Sequence, residues 1–329
     1  MIRRGQMGVN EAFDALQKAV DADPAQVLLA RARRDIFKKA LGAESDVVGV
    51  FGSGSLRRST QLKPIHDVDL VVVYAEDDHS DWGLPGDSAE EALDYTRGRV
   101  NALLGATNGT VDRLVRLARW RNHAVKCFID DPDDPEAFTV DTMPALRQAD
   151  GTLLIPEALS HRWVTADPED LIRRVADHQA DWSYFRPIVR VLKDWRRSVK
   201  VEGKIKSLLI EVLALECMPR SGSRAEALRA FFTAAAVRVN TPIEDPAGHC
   251  GLIQPDLDKV GLRTALEEAS EIATRACAHA ADGDTDEALR AWQEVFGEDF
   301  PAPVKKKVSP AVTGPALILP RPIKDAPQG

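Results

Sequence analysis

Residues 47 to 73 place the tightest limit on what this chain can fold into. An apolar run, Val47 to Phe51, leads into Gly52, Ser53, Gly54 and Ser55, and after a polar stretch Asp67 and Asp69 open a second apolar run, Leu70 to Val73. The pattern predicts strand, glycine-serine turn, loop, strand. Glycines let a backbone approach a phosphate at little steric cost, and a serine hydroxyl with nearby N–H groups can hydrogen-bond its oxygens. Side chains alternate along a strand, so Asp67 and Asp69 share one face while Val68 takes the other. Two carboxylates about 4 Å apart repel by about 4 kcal/mol at an effective dielectric of roughly 20. A hard divalent cation turns that repulsion into binding, and Mg²⁺ takes one or two carboxylates together with substrate phosphate oxygens. The stretch thus pairs a phosphate cradle with a metal site, which is what nucleotidyl transfer needs.

The rest of the composition bounds the setting. A chain of 329 residues, 44% hydrophobic and 29% charged, is globular and long enough for two domains or one large one. A net charge of −8 argues against a generally basic nucleic-acid surface and leaves room for a local basic groove. There is no secretory signal pattern and no apolar run of about 18 residues, so no membrane span is expected. The four cysteines, Cys127, Cys217, Cys250 and Cys277, show no C-x-x-C spacing. A reduced, cytoplasmic protein is therefore expected, without a disulfide or zinc scaffold. His249-Cys250 has no matching partners that would complete a metal site.

Along the chain, Asn10 is the expected cap of a helix carrying Phe13, Leu16 and Val20, and Asp23-Pro24 the start of another running to about Leu41. Both are expected to brace the strand pair from behind. Residues 76 to 88, with Gly83, Pro85 and Gly86, read as a loop before a helix from Ala89 to Leu104. Residues 111 to 129 fit a helix or strands. Two strands turning near Arg121-Asn122 are the favoured reading. The acidic, proline-broken residues 130 to 136 are expected to be a solvated turn rather than a metal site.

Gly52-Ser53 is followed, after residues 54 to 66, by Asp67-Val68-Asp69, the spacing of the nucleotidyltransferase signature. Nucleotidyl transfer with two metals needs a third carboxylate on a neighbouring strand. Asp141, in Phe138 to Ala145, is the candidate: it ends a short apolar run and is closely followed by Pro144-Ala145. The Val140-Asp141 and Pro144-Ala145 segment, then residues 151 to 156, Trp163 to Pro168, Val191 to Trp195, Lys206-Ser207 and Asp245 to Gly248, occur in the order found in one branch of the superfamily. Over about residues 45 to 260 the chain resembles the bacterial CD-NTase family of anti-phage CBASS systems, relatives of the animal cyclic GMP-AMP synthase and the oligoadenylate synthases.

The second half reads as helical. Asp167-Pro168 starts a helix with acids at the positive end of its dipole. Phe185, Ile188, Leu192 and Trp195 share one face of the next, and Lys193 lies off that face, placed to turn toward a cleft. Lys193, Arg196, Arg197, Lys200, Lys204 and Lys206 cluster in an otherwise acidic chain. Most read as a solvated basic helix end. For Lys193 and Ser207 the resemblance implies contacts to a triphosphate. Residues 224 to 239 and 261 to 296 are alanine-rich and helical. Beyond 300 the chain turns proline-rich and carries Lys305-Lys306-Lys307, so 300–329 is expected to be a disordered tail. Within it Leu317 to Ile323 reads as a docking peptide. The terminal Gln328-Gly329 would suit carboxyl-terminal conjugation by a partner, although an ordinary ragged end is the plainer reading.

These readings combine into an α+β, two-lobed nucleotidyltransferase of the polymerase-beta-like fold. Residues 1–160 are expected to form a mixed β-sheet catalytic core with N-terminal bracing helices, and 161–299 a helical nucleotide-binding lobe. Asp67, Asp69 and Asp141 would be both catalytic residues and metal ligands, for Mg²⁺ with Mn²⁺ as its substitute. Gly52, Ser53, Lys193 and Ser207 would hold the nucleotide. The resemblance implies synthesis of a cyclic di- or trinucleotide from NTPs, with pyrophosphate released, and a downstream effector activated by the product. A linear nucleotidyltransferase acting on RNA ends or a small molecule, and a catalytically silent nucleotide sensor, are the competing readings.

Overall fold

A computed structural model of the chain describes residues 7 to 106 and 114 to 303. Helix α1 (Val9–Val20) begins after Gly8, whose N–H is accepted by the Glu11 carboxylate at 2.9 Å, so Asn10 lies inside the first turn and is not the cap. Helix α2 (Pro24–Leu41) starts as its sequence predicts. Asp23 accepts from the Ala25 N–H at 2.7 Å, and Pro24 stands where no N–H is needed.

Strands β1 (Val47–Ser53) and β2 (Asp67–Tyr74) pair antiparallel, joined by the short helix α3 (Gly54–Arg58) and a loop. Helix α4 (Ser88–Leu104) follows, and residues read as ambiguous form a hairpin of β3 (Leu117–Trp120) and β4 (Val125–Phe128). Strand β5 (Thr139–Arg147) inserts between β2 and β4, parallel to the first and antiparallel to the second. The sheet runs β1-β2-β5-β4-β3, with β6 (Leu153–Glu157) and β7 (Arg162–Ala166) continuing from the far end of β5. It is a mixed sheet, as expected. Its interior strand β2 is apolar on both sides beyond Asp69 because both are covered. Val68, Leu70 and Val72 pack toward α2 and α4, and Val71 and Val73 pack with Ala145, Leu153 and Ile155.

The helical lobe comprises α5 (Pro168–Asp181), α6 (Phe185–Trp195), α7 (Ser207–Cys217), α8 (Arg224–Arg238), α9 (Lys259–Ala281) and α10 (Thr285–Phe296). Asp167 caps α5 by accepting the Asp170 N–H at 2.9 Å. The helical run expected over 261 to 296 is broken after α9, where Gly283 takes a φ of 80° and Asp284 caps α10.

The two N-terminal helices part company. Ala30, Phe37 and Leu41 of α2 pack under the sheet, whereas Phe13, Leu16 and Val20 of α1 are buried in the helical lobe. Phe13 meets Trp292 and Phe300 edge to face, with ring centroids 5.2 and 5.1 Å apart. Only α2 therefore braces the strand pair as expected; α1 belongs with the second lobe. Phe300 is fully buried, so packing continues past residue 299. The expectations for the tail beyond residue 303, its docking peptide and terminal glycine among them, lie outside the described residues. Among the described residues no helix is long and apolar enough to cross a membrane.

Candidate active site

The sheet face that carries Asp67, Asp69, Val71 and Val73 opens, at the aspartate end, into a cavity of about 460 Å³ between the two lobes. Strand register assembles its polar wall. Ser53 pairs with Asp69, Asp69 with Asp141, and Asp141 with Lys126. Directly paired residues point to the same face, so Ser53, Asp69, Asp141 and Lys126 form a row across four strands, with Asp67 two residues from Asp69 on the same side. The three carboxylates singled out in the sequence are thus brought to one place, and all three line the cavity.

The row is electrostatically tense. Burial pushes the Asp69 carboxyl up to about 7, and the charges of Asp67 and Asp141 add to that, while Arg58 and Lys126 oppose it. Burial likewise raises Asp141 to about 6, with Lys126 pulling against it and Asp67 adding to it. The Asp141 Oδ1 is buried with no hydrogen-bond partner among the described residues. Among those residues no three acidic, imidazole or thiol side chains are already gathered around one point. Hard carboxylate oxygens, raised acid constants and an orphaned oxygen fit a divalent cation such as Mg²⁺.

The turn beside the row depends on a different glycine from the one expected. Gly52 lies within β1, paired with Leu70, and lines no part of the cavity. A Cβ there would make only an ordinary 3.5 Å contact with Arg34. Gly54 adopts a φ of 65°, and a Cβ on it would overlap the Asp69 carboxylate. Only glycine allows both that backbone conformation and the close approach. Ser53, Gly54 and Ser55 all line the cavity.

The opposite wall comes from the helical lobe. Ser207, the first residue of α7, lines the main cavity and also a smaller adjoining one of about 150 Å³. Lys193 reaches only the smaller one, which it shares with Ser55, Asp67, Arg196 and Arg197. Its position is not the open cleft suggested by its place on the helix. The side chain is 3% exposed; its Nζ donates to the Thr60 carbonyl at 3.0 Å and the Thr60 hydroxyl at 3.1 Å, and it pairs with Glu211 Oε2 at 2.6 Å. Those partners use all three ammonium protons. Ala166, Pro168, Leu171 and Leu208 give the cavity an apolar side, and Cys250 joins them as a neutral thiol, its acid constant pushed by burial to about 11. Asp245 holds that loop by accepting the N–H groups of His249 and Cys250, both at 3.2 Å.

Sequence reading missed Arg58, Lys126 and Glu211. Lys126 sits in an unremarkable short strand and becomes part of the site only through its register with Asp141. Arg58 and Glu211 are 153 positions apart and meet in a buried contact no local pattern signals. A second cavity, of about 490 Å³, lies in the helical lobe beside Trp195, Gly261 and Glu294.

No family model matches the chain. It is similar to a probable cyclic nucleotide synthase of Bacillus cereus (strain VD146), with 24% identity covering 89% of this chain and 98% of the relative. It is also similar to the cyclic AMP-AMP-AMP synthase of Acinetobacter sp. (strain ATCC 27244 / 9458), with 24% identity over 79% of this chain and 75% of that protein. Among solved structures it resembles Escherichia coli MS115-1 CdnC. CdnC with ATP superposes with a TM-score of 0.66 at 18% identity, covering 89% of this chain and 98% of the other. CdnC in a complex with HORMA-deltaN gives the same TM-score and coverage at 17% identity. The likeness runs nearly end to end in sequence and in structure, and it bears out the resemblance to the CD-NTases, whose polymerase-beta-like nucleotidyltransferase fold this chain shares.

Proposed function

We propose that this chain is a metal-dependent nucleotidyltransferase that joins NTPs into a cyclic di- or trinucleotide and releases pyrophosphate. The observation that carries this reading is the row of Asp69, Asp141 and neighbouring Asp67 beside the Gly54 turn on the interlobe cavity, which Arg58 also lines, with Lys193, Arg196 and Arg197 around the smaller adjoining cavity. Acidic and basic groups around adjoining cavities suit a substrate that carries a metal-bound triphosphate beside a reacting sugar hydroxyl. Asp67 and Asp69 would hold the ion that meets the donor triphosphate, and Asp141 would join them in holding the ion at the acceptor. Bound Mg²⁺, or Mn²⁺ in its place, lowers the pKa of an acceptor 3′- or 2′-hydroxyl and neutralises charge on the phosphates.

The chain's own residues bind and orient. Ser53, Ser55 and Ser207 offer hydroxyls to the β and γ phosphates, and the Lys193 charge acts on them from behind Thr60. The apolar side made by Ala166, Pro168, Leu171 and Leu208 suits the flat faces of nucleobases. Catalysis is then positioning plus electrostatics, with the acceptor oxygen held in line with the α-phosphorus.

The relatives' names support cyclisation over the linear alternative, because two sequence relatives that match most of this chain are named as cyclic nucleotide synthases. The presence of all three carboxylates favours an enzyme over a silent sensor. In this reading the product is a second messenger in cytoplasmic anti-phage signalling, read by a cyclic-nucleotide-activated effector. The CdnC complex with HORMA-deltaN supports a protein partner. The test is incubation of purified protein with Mg²⁺ and all four NTPs, phosphatase treatment and mass spectrometry. A phosphatase-resistant product of cyclic mass is expected. A sensitive product means linear transfer, and no product, with or without a partner protein, means the reading is wrong.

A further inference from the structure

Behind the phosphate end of the cavity lies a buried cluster that the catalytic row does not use. Glu211, on α7, is fully buried. Its carboxylate accepts from Arg58 Nε at 2.6 Å and Nη2 at 3.4 Å, takes the Thr60 hydroxyl at 3.1 Å, and pairs with Lys193 at 2.6 Å. Arg58 closes α3, the helix that opens with Gly54-Ser55, while Glu211 and Lys193 come from α7 and α6. The cluster therefore pins the glycine-serine turn to the helical lobe. Burial acts to raise the Glu211 carboxyl, and the Lys193 and Arg58 charges overcome it and hold it at about 2.

Two features give this cluster a direction. Two cations share one carboxylate, so Glu211 only partly offsets Arg58, whose charge acts toward the cavity and is felt by the Asp69 carboxylate there. The two cations also differ in what they have left to offer. Lys193 has spent its three protons on Thr60 and Glu211. Arg58 is held along its Nε and Nη2 edge only. Its Nη1 makes no hydrogen bond among the described residues, and the side chain lines the main cavity with Ser53, Gly54, Ser55 and Asp69.

We propose that Arg58 is a phosphate-contacting residue of the nucleotide site and that Glu211 is the positioning residue that aims it, with Lys193 holding Glu211 in place. The inference rests on the nucleotidyltransferase reading for the identity of the phosphate but not for its test. A planar guanidinium gripped by a carboxylate on one edge presents the other in a fixed orientation, which a flexible ammonium cannot do.

The probe is inorganic triphosphate with Mg²⁺, its binding measured by calorimetry, alongside KM and kcat for the NTPs that the wild type consumes. Arg58→Lys keeps the charge and loses the fork, and Glu211→Gln loses the grip. Each is expected to weaken triphosphate binding and raise KM by about tenfold or more, with a smaller change in kcat. The double variant is expected to be no worse than the poorer single, because both act through one contact. If Glu211→Gln fails to fold, Lys193→Met with Glu211→Gln removes one buried cation together with the anion. Its KM should stay raised, because the aim and not the charge count is lost. Unchanged KM and triphosphate affinity in Arg58→Lys, or wild-type values in Lys193→Met/Glu211→Gln, would overturn the inference while wild-type turnover leaves the functional reading standing. Triphosphate binding that is lost in the variants, with no nucleotide product from the wild type, would instead sink the functional reading and keep the inference.

Discussion

Asp69 and Asp141 are register partners on parallel strands, and among the described residues neither carboxylate is held in an ion pair. Two half-buried acids side by side, one of them with an orphaned oxygen, form a site that costs stability until something positive arrives.

Changing Asp67 and Asp69 to Asn is accordingly expected to abolish NTP incorporation and to leave the fold intact. Removing a carboxylate whose ionisation burial opposes should stabilise the metal-free protein by about 1 kcal/mol, or raise Tm by roughly 2 °C. Radiolabelled NTP turnover and thermal melts check both halves. Robust product from the double variant would show that the metal site lies elsewhere. Asp141→Asn should also be inactive; near-normal turnover would require another third carboxylate.

The same acids set a pH dependence whose sign is opposite to that of a salt-bridged carboxylate. Their folded acid constants, about 7 for Asp69 and about 6 for Asp141, lie above the ordinary value of 3.8. The folded protein therefore takes up protons at a pH where the unfolded chain does not, and their contribution to stability grows as pH falls from about 8 to about 4. It levels off below that range, where both states are protonated. Other groups titrate as well, so the quantity to measure is the difference in Tm between wild type and Asp69→Asn/Asp141→Asn across pH. Wild type should gain on the variant as pH drops. Mg²⁺ should raise the wild-type Tm more at pH 8 than at pH 6, because it competes with those protons.

Gly54 and Gly52 separate the turn that shapes the site from the strand that leads to it. Gly54→Ala places a methyl group on the Asp69 carboxylate and forces a strained backbone, so turnover should fall to background with a clear loss in Tm. Gly52→Ala meets only an ordinary contact and should keep most activity. Equal sensitivity of the two would mean that the turn is not built as described.

Much of this site was legible in one dimension because strand alternation is local. Asp67 and Asp69 announce a shared face by themselves, and Asp141 stands out as an acid ending an apolar run. The rest depends on contacts that sequence does not encode locally. The Asp69, Asp141 and Lys126 row exists because β5 inserts between β2 and β4, and nothing in residues 117 to 128 shows which strand they will adjoin. Choosing Gly54 over Gly52 needs backbone angles. Helical spacing put Lys193 off the apolar face of α6, which is correct, but could not show that the space there is filled by Thr60 and Glu211. The two N-terminal helices look alike as amphipathic segments, and only the aromatic contacts of Phe13 assign α1 to the second lobe.

Truncation at two nearby points tests where the folded part ends. Ending the chain after Pro303 leaves every described contact in place, so synthesis by purified protein and Tm should both stay near wild type. Ending it after Asp299 also removes Phe300, which is fully buried, stacks on Phe296 and meets Phe13 edge to face, with ring centroids 6.1 and 5.1 Å away. Emptying a buried aromatic position costs about 3 to 5 kcal/mol. Phe13 sits on α1, so that loss loosens the helix that joins the start of the chain to the helical lobe. The shorter chain should melt well below the longer one and lose turnover at temperatures where the longer remains active. A Tm equal in both would place Phe300 outside the core. A loss of synthesis on cutting after Pro303 would mean that residues 304 to 329 contribute to the site itself.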